Sequence, residues 1–86
     1  MTIHANHPSI IARLKRASGH LNAVITMLEA QKPCVDIAQQ MQAVEAAITK
    51  AKRELINDHI QHCLEPGHVA NPGTALVELR QIAKFL

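Results

Sequence analysis

Residues 50–65 read KAKRELINDHIQHCLE and place His59 and Cys63 four residues apart near the end of a long helical pattern. On an α-helix this spacing stacks the two side chains on one face, about one turn apart. An imidazole nitrogen and a thiolate sulfur in this arrangement can share one ion, and both are good ligands for zinc, nickel, cobalt or copper. Because two ligands hold a metal weakly, a third is expected, and the other cysteine of the chain is Cys34.

Cys34 lies 29 residues before Cys63 in the same helical pattern. At about 1.5 Å rise per residue, an unbroken helix separates the two cysteines by roughly 43 Å. The spacing therefore predicts an antiparallel dimer, with Cys34 of one chain beside His59 and Cys63 of the other, and a two-fold axis near residues 47–48. The alternative is that both cysteines are small buried hydrophobic residues and that His59 is a surface histidine.

Apolar residues recur at alternating steps of four and three along the chain and predict an all-α subunit with three helices. Pro8 and Pro33 suit the first turns of helices at about residues 8–30 and 34–64, and a short amphipathic pattern covers about residues 72–86. Two apolar stripes result: Ile10, Leu14, Ala17, Leu21, Val24 and Leu28 in the first helix, and Ile37, Met41, Val44, Ile48, Ala51 and Leu55 in the second.

Composition favours the same fold in a single domain, residues 1–86. Of the 86 residues, 48% are hydrophobic but only 1% aromatic, which favours helix packing over a β-sandwich. A helix of roughly thirty residues exposes apolar surface that a shorter partner in the same chain cannot cover, so subunit contacts are expected. Gly19 lies inside the first stripe at a cost of about 1 kcal/mol relative to alanine, which predicts a close helix contact or the approach of a ligand there.

The function classes are narrowed by what the sequence lacks. We expect no enzyme, because no set of nucleophile, base and orienting residue and no glycine-rich phosphate loop is recognisable. No secretory signal and no apolar run of membrane-spanning length is recognisable either, so a cytoplasmic protein without a membrane partner is expected. In that compartment thiols stay reduced, and a metal or redox role outranks a structural disulfide.

Six of the nine Lys and Arg residues form two clusters, which are Arg13, Lys15 and Arg16 in the first helix and Lys50, Lys52 and Arg53 in the second. An ordinary solvated helix face is one interpretation of these clusters. In an antiparallel hairpin of the two helices, the clusters are not expected at the same level. In an oligomer, however, they could join into one basic surface that binds phosphates.

The first six residues, MTIHAN, have no periodicity and predict a mobile arm that carries His4. His7 follows at the start of the first helix. Both histidines could close over the metal site as additional ligands, or belong to a solvated N-terminus.

Two segments match a known family. RLKRASGHLNAVITMLE at residues 13–29, and Cys34 followed by VDIAQQMQAVEAAITKAKRELINDHIQHC at residues 35–63, closely resemble the CsoR/RcnR/FrmR family of bacterial metal-sensing and formaldehyde-sensing repressors. The resemblance implies a three-helix subunit and an antiparallel homodimer that pairs into a disc-like homotetramer. It also implies an apo-protein that binds operator double-stranded DNA and releases it when the effector binds.

The resemblance also assigns roles to residues. Cys34, His59 and Cys63 match the family's metal ligands, and Glu78 matches an acid that supports these ligands in copper sensors. The basic positions tied to DNA binding are Arg13, Lys50 and Arg53, beside which Lys15 and Arg16 complete the first cluster. Two positions depart from the family pattern: Pro33 stands where some copper sensors have tyrosine, and Glu45 stands where an arginine is usual.

The metal ion is the least determined part of the prediction. A Cys, His, Cys set suits three-coordinate Cu(I), whereas ligation by His4 or His7 would raise the coordination number and suit Ni(II) or Co(II). The segments HPSIIARLKRA and DHIQHC resemble nickel and cobalt regulators more than copper regulators. We therefore expect a Ni(II)/Co(II)-responsive repressor of metal efflux or resistance genes. The alternatives are a Cu(I) sensor of the same fold and a helical metal-binding or interaction module that does not bind DNA.

Overall fold

The computed structural model describes residues 6–64 and 72–86, except for the side chains of Cys63, Leu64 and Pro72. Within these ranges the chain forms three α-helices and no strand: α1 (His7–Glu29), α2 (Cys34–Leu64) and α3 (Pro72–Ala83). The all-α prediction is confirmed. The expected mobile arm at residues 1–6 lies, apart from Asn6, outside the described residues.

α1 and α2 form an antiparallel hairpin. Residues later in α1 contact residues earlier in α2. The turn between them begins at Gln31, whose φ of 56° puts it in the left-handed region. Two hydrogen bonds close the turn, from the Lys32 N–H to the Met27 carbonyl (3.0 Å) and from the Gln31 N–H to the Leu28 carbonyl (3.1 Å). This pattern satisfies the last carbonyls of α1 and reverses the chain before α2 begins.

Each predicted apolar stripe divides into two rows inside the subunit. Every second member of a stripe, seven residues apart, is buried in the hairpin core: Ile10, Ala17 and Val24 from α1, and Ile37, Val44 and Ala51 from α2. The members between them stay exposed, and these are Leu14, Leu21 and Leu28 in α1 and Met41, Ile48 and Leu55 in α2. The sequence pattern therefore describes two faces, one used within the chain and one left open on its surface.

α3 packs against α2 and ends at Ala83, three residues before the predicted end at residue 86. The last residues turn more tightly than an α-helix, since the Phe85 N–H bonds the Ile82 carbonyl (3.1 Å) and the Leu86 N–H bonds the Ala83 carbonyl (3.2 Å). Such three-residue hydrogen bonds are common at helix ends. No helix among the described residues is long and apolar enough to cross a membrane.

Candidate metal centre and nucleic-acid interface

The two cysteines lie at opposite ends of α2, which is one continuous helix of 31 residues. Cys34 is its first residue, and its thiol is free and exposed. Cys63 is its second-to-last residue, but its side chain lies outside the described part. A continuous helix keeps the two cysteines of one subunit roughly 43 Å apart, so they cannot ligate the same ion within that subunit.

His59 lies one turn before Cys63 and faces α3. Its Nε2 atom is 4.0 Å from Oε2 of Glu78, and the His59 side chain is 27% exposed. A surface cavity of about 360 Å³ opens between the two helices and is lined by His59, Glu78, Gln81, Ile82 and Phe85. α3 thus brings a carboxylate beside the predicted ligand, at the position where the resemblance places a supporting acid.

His7 meets the residue directly before His59. Its Nε2 atom lies 3.6 Å from Oδ2 of Asp58, and the Asp58 side chain is only 10% exposed. The structure therefore places the predicted ligand His7 against α2 at the same turn as His59. The other predicted arm ligand, His4, lies outside the described residues.

Sequence reasoning missed Asp58, although a signal was present. The buried row of α2 advances in steps of seven, from Ile37 through Val44 and Ala51, and the next step is Asp58. Asp58 is the buried polar residue that the described part of the chain contains. A carboxylate at a core position requires a polar partner, and the start of α1 supplies His7.

Within one subunit, the described side chains contain no group of three or more His, Cys, Asp or Glu residues that could hold a metal ion. Cys34 is far from His59, and Cys63 and His4 are outside the described part. A complete site therefore needs a donor from one of these residues or from a second chain.

The two basic clusters lie level with each other, contrary to the prediction. Arg13 Nε lies 3.1 Å from Oε1 of Glu54, and both side chains are about one-third exposed. Glu54 directly follows Arg53, so the antiparallel hairpin places the first cluster beside the second. The prediction was wrong because the short turn after α1 starts α2 at once and aligns the first half of α1 with the later half of α2.

The clusters nevertheless border separate cavities. Arg13 and Arg16 line a cavity of about 260 Å³ between the helices, together with Ala17, His20 and Ala47. Lys50 and Arg53 line a second cavity, of about 430 Å³, together with Gln42, Glu45, Ala46 and Thr49. Lys15 is exposed and lines neither of these two cavities.

His20 is a second residue that the sequence reasoning did not assign. Its Nε2 atom lies 2.6 Å from Oε1 of Gln40, which is a short hydrogen bond between α1 and α2. The contact orients the imidazole ring beside Arg16. No spacing rule identified it, because the two residues are twenty positions apart in sequence.

Gly19 has an open surface in this subunit. A Cβ atom added there would meet no other atom within 4 Å. The predicted close helix contact is therefore absent within the described chain, and the approach of a ligand or another molecule stays a prediction.

Comparisons with known proteins agree with this architecture. Residues 6–85 match the family model described as "Metal-sensitive transcriptional repressor". The copper-sensing transcriptional repressor CsoR of Mycobacterium ulcerans (strain Agy99) is 36% identical over 74 residues, which cover 85% of this chain and 63% of the relative. This chain thus spans less than two thirds of that relative's length.

A second relative and a solved structure extend the likeness. The copper-sensing transcriptional repressor CsoR of Bacillus subtilis (strain 168) is 36% identical over 76 residues, covering 87% of this chain and 75% of the relative. The solved structure of the nickel-responsive transcriptional regulator InrS superposes on this chain with a TM-score of 0.81 at 27% sequence identity. The superposition covers 100% of this chain and 99% of the InrS chain. The chain belongs to the family of metal-sensitive transcriptional repressors.

Proposed function

We propose that this chain represses metal efflux or resistance genes by binding operator DNA in its metal-free form and releasing the DNA when Ni(II) or Co(II) binds. The observation that carries the proposal is the continuous α2 helix, which holds Cys34 at one end and His59 at the other in a chain of this family. A metal site built from both ends of α2 requires two chains, so metal binding can act on the assembly.

The assembly is an antiparallel homodimer, two of which pair into a tetramer. The exposed rows support this proposal, since Leu14, Leu21 and Leu28 of α1 and Met41, Ile48 and Leu55 of α2 are each more than 40% exposed in the subunit. A contiguous apolar surface of this kind marks a contact site on a protein. In the dimer, Cys34 of one chain would join His59 and Cys63 of the other as metal ligands.

Ni(II) or Co(II) requires more donors than these three. His4 or His7 would provide a nitrogen that raises the coordination number and suits these ions. The position of His7 supports this role, because Asp58 holds it at the turn of α2 that carries His59. The likeness to a nickel-responsive regulator over the whole chain supports it as well.

Cu(I) is the second candidate effector. Cys34, His59 and Cys63 alone form a three-coordinate set rich in sulfur, which is the chemistry that Cu(I) prefers. The relatives from Mycobacterium ulcerans and Bacillus subtilis are named as copper-sensing. In this case His7 would remain with Asp58 and take no part in the metal site.

DNA binding would use the two basic clusters. The contact of Arg13 with Glu54, the residue after Arg53, supports this use, because it places both clusters at the same level of the hairpin, where each borders its own cavity. Lys15 is an exposed residue of the same helix and adds positive charge to α1. Because such contacts neutralise phosphates, affinity should fall steeply as the salt concentration rises.

The test begins with an operator selected from a random duplex library by the metal-free protein. Fluorescence anisotropy should show specific binding by the reduced apo-protein and release on addition of about one equivalent of Ni(II) or Co(II) per chain. A scrambled duplex is the control for sequence specificity. Failure to enrich any duplex would favour the interaction module that does not bind DNA.

The cognate metal is identified by competition under anaerobic conditions. Ni(II), Co(II) and Cu(I) are each titrated against a chelator of known affinity, with absorption spectra recorded and DNA release measured in parallel. Release driven by Ni(II) or Co(II) supports the main proposal. Release driven by Cu(I) alone, with a three-coordinate spectrum, would replace it with the copper candidate.

A further inference from the structure

We propose that the cavity between α1 and α2 that is lined by Arg13, Arg16 and His20 is a phosphate pocket, and that His20 is a DNA-contacting residue. This inference rests on the proposed function, since the ligand is the backbone phosphate of operator DNA. It goes beyond the basic clusters by naming one open surface cavity as the site and by including His20, a residue outside both clusters.

The pocket has room for a ligand group. Arg13, Arg16 and His20 follow one another at steps of three and four and therefore share one face of α1. Ala17 and Ala47 form the rest of the lining, and their short side chains leave a cavity of about 260 Å³. One water needs only about 10–15 Å³ by this measure, so a phosphate group fits without rearrangement.

The lining has the charge and the donors that a phosphate needs. It contains two guanidinium groups and one imidazole and no carboxylate. The Nε atom of Arg13 lies 3.1 Å from Glu54, and a guanidinium carries four further N–H donors on its two terminal nitrogens. The contact with Glu54 also limits the freedom of the Arg13 side chain, which lowers the entropy cost of binding a phosphate in a fork geometry.

His20 is held in place by the other helix. Its hydrogen bond to Gln40, at 2.6 Å, occupies Nε2 and fixes the ring plane beside Arg16. With Nε2–H donating to the Gln40 amide oxygen, the second ring nitrogen, Nδ1, donates to a phosphate oxygen in the imidazolium form of the ring, in which both nitrogens carry a proton. A histidine fixed in this way contributes a directed contact to the phosphate, whereas a mobile surface histidine does not.

A DNA backbone can reach this pocket. Gly19 adjoins both Arg16 and His20 on α1, and, apart from its chain neighbours and the backbone of its own helix, no atom lies within 4 Å of the place where its Cβ would be. The Lys50 and Arg53 surface begins one turn beyond Ala47 on α2. The pocket therefore has a second basic group, Lys50 with Arg53, close to it along the hairpin, and two such groups fit an extended polyanion better than an isolated small anion.

The first experiment measures operator binding by Arg16→Ala, His20→Ala and the double variant over a range of salt concentrations. Arg16→Ala should make the negative slope of log K against log salt shallower by about 0.9, because one phosphate contact is lost. His20→Ala should weaken binding about three- to tenfold. If both residues hold the same phosphate, the double variant should lose less affinity than the product of the two single losses.

Matched controls separate a phosphate pocket from a general change in charge or fold. Arg80 is exposed on α3 and lines none of the cavities described above, so Arg80→Ala should keep the wild-type affinity and salt slope. Arg16→Lys retains the positive charge and should keep the wild-type slope of log K against log salt. If His20→Ala unfolds, His20→Gln is used in its place, because glutamine retains a polar side chain. Helical circular dichroism verifies that each variant is folded.

The second experiment uses inorganic phosphate as the probe and the NMR signals of the His20 ring as the readout, against chloride at equal ionic strength. Phosphate should shift these signals in the wild type and not in Arg16→Ala. If phosphate shifts them but the apo-protein binds no duplex, the pocket is real, its ligand is free phosphate, and the proposed function is wrong. If the variants bind operator with wild-type affinity and slope, the pocket is refuted while the proposed function stands.

Discussion

Mixing two inactive variants should restore metal binding if the site lies between subunits. The first variant, Cys34→Ala, keeps His59 and Cys63, and the second, His59→Ala/Cys63→Ala, keeps Cys34. Neither homodimer contains a complete ligand set. The heterodimer contains one complete site and one site with no ligand from this set, because the antiparallel arrangement pairs the ends of α2 reciprocally.

The expected magnitude follows from the helix geometry and from random pairing. Metal ligands lie about 2.0–2.3 Å from the ion, whereas an unbroken α2 holds Cys34 and Cys63 of one chain roughly 43 Å apart. No side-chain motion bridges that gap. An equal mixture gives about half heterodimers with one site each, so the mixture should bind about a quarter of the metal that wild-type dimers bind.

The assay is metal binding by the mixture after joint unfolding and refolding, with stoichiometry measured under anaerobic conditions in reduced samples. Native mass spectrometry of variants that differ in mass verifies that heterodimers form. Metal binding near zero in a mixture that contains heterodimers would refute the intersubunit site. Full binding by the Cys34→Ala parent alone would show that Cys34 is not a ligand.

Three further predictions concern the hairpin. Ile10 is 5% exposed and Ile11 is 51% exposed, so Ile10→Ala should lower the free energy of unfolding by about 2–4 kcal/mol and Ile11→Ala by less than about 1 kcal/mol in chemical denaturation; equal losses would show that a second chain covers Ile11. Gly19→Ala should raise the melting temperature, since alanine stabilises a helix by about 1 kcal/mol and the added methyl group meets open space; a lower melting temperature would indicate a contact from another subunit. Glu54→Gln should tighten operator binding about two- to fivefold in anisotropy titrations, because it removes a negative charge 3.1 Å from Arg13 and keeps an amide oxygen that can still limit the freedom of the arginine; weaker binding would mean that the carboxylate charge itself is needed to position the arginine.

The apolar period was sufficient to predict the three helices and most of their ends. Pro8 and Pro33 marked the starts of α1 and α2 within about one residue, since proline fits the first turn and is excluded from the interior. The end of α1 was also predictable, although Gln31 takes the left-handed position that glycine usually occupies. A glutamine gives no indication of a positive φ, so the left-handed conformation of Gln31 was not predictable from the sequence.

The pairing of polar residues across the hairpin was not predictable from spacing within each helix. His7 with Asp58, Arg13 with Glu54 and His20 with Gln40 all depend on the exact alignment of two helices. That alignment is set by the turn and by which row of each stripe enters the core. The sequence showed one stripe per helix and did not distinguish the buried row from the exposed row.

The candidate metal site illustrates the same limit. Spacing predicted that His59 and Cys63 share a face of α2 and that Cys34 is too distant to join them within one chain, and the continuous α2 agrees with that geometry. The position of Glu78 beside His59 depends on how α3 packs, which the resemblance implied and spacing did not. The ligand set itself stays a prediction.

Coupling between the metal and the DNA requires more free energy than one surface contact provides. A useful repressor needs about 1–3 kcal/mol of coupling, whereas an exposed ion pair contributes about 0.2–1 kcal/mol. Two polar contacts, His7 with Asp58 and Arg13 with Glu54, join α1 to α2 within about one and a half turns of His59. Both contacts would be strained or broken together if metal binding shifted the turn of α2 that carries His59. The proposed two-fold dimer would contain each contact twice, which would bring the sum into the required range, so the assembly proposed to complete the metal site would also supply enough contacts to transmit its effect to Arg13.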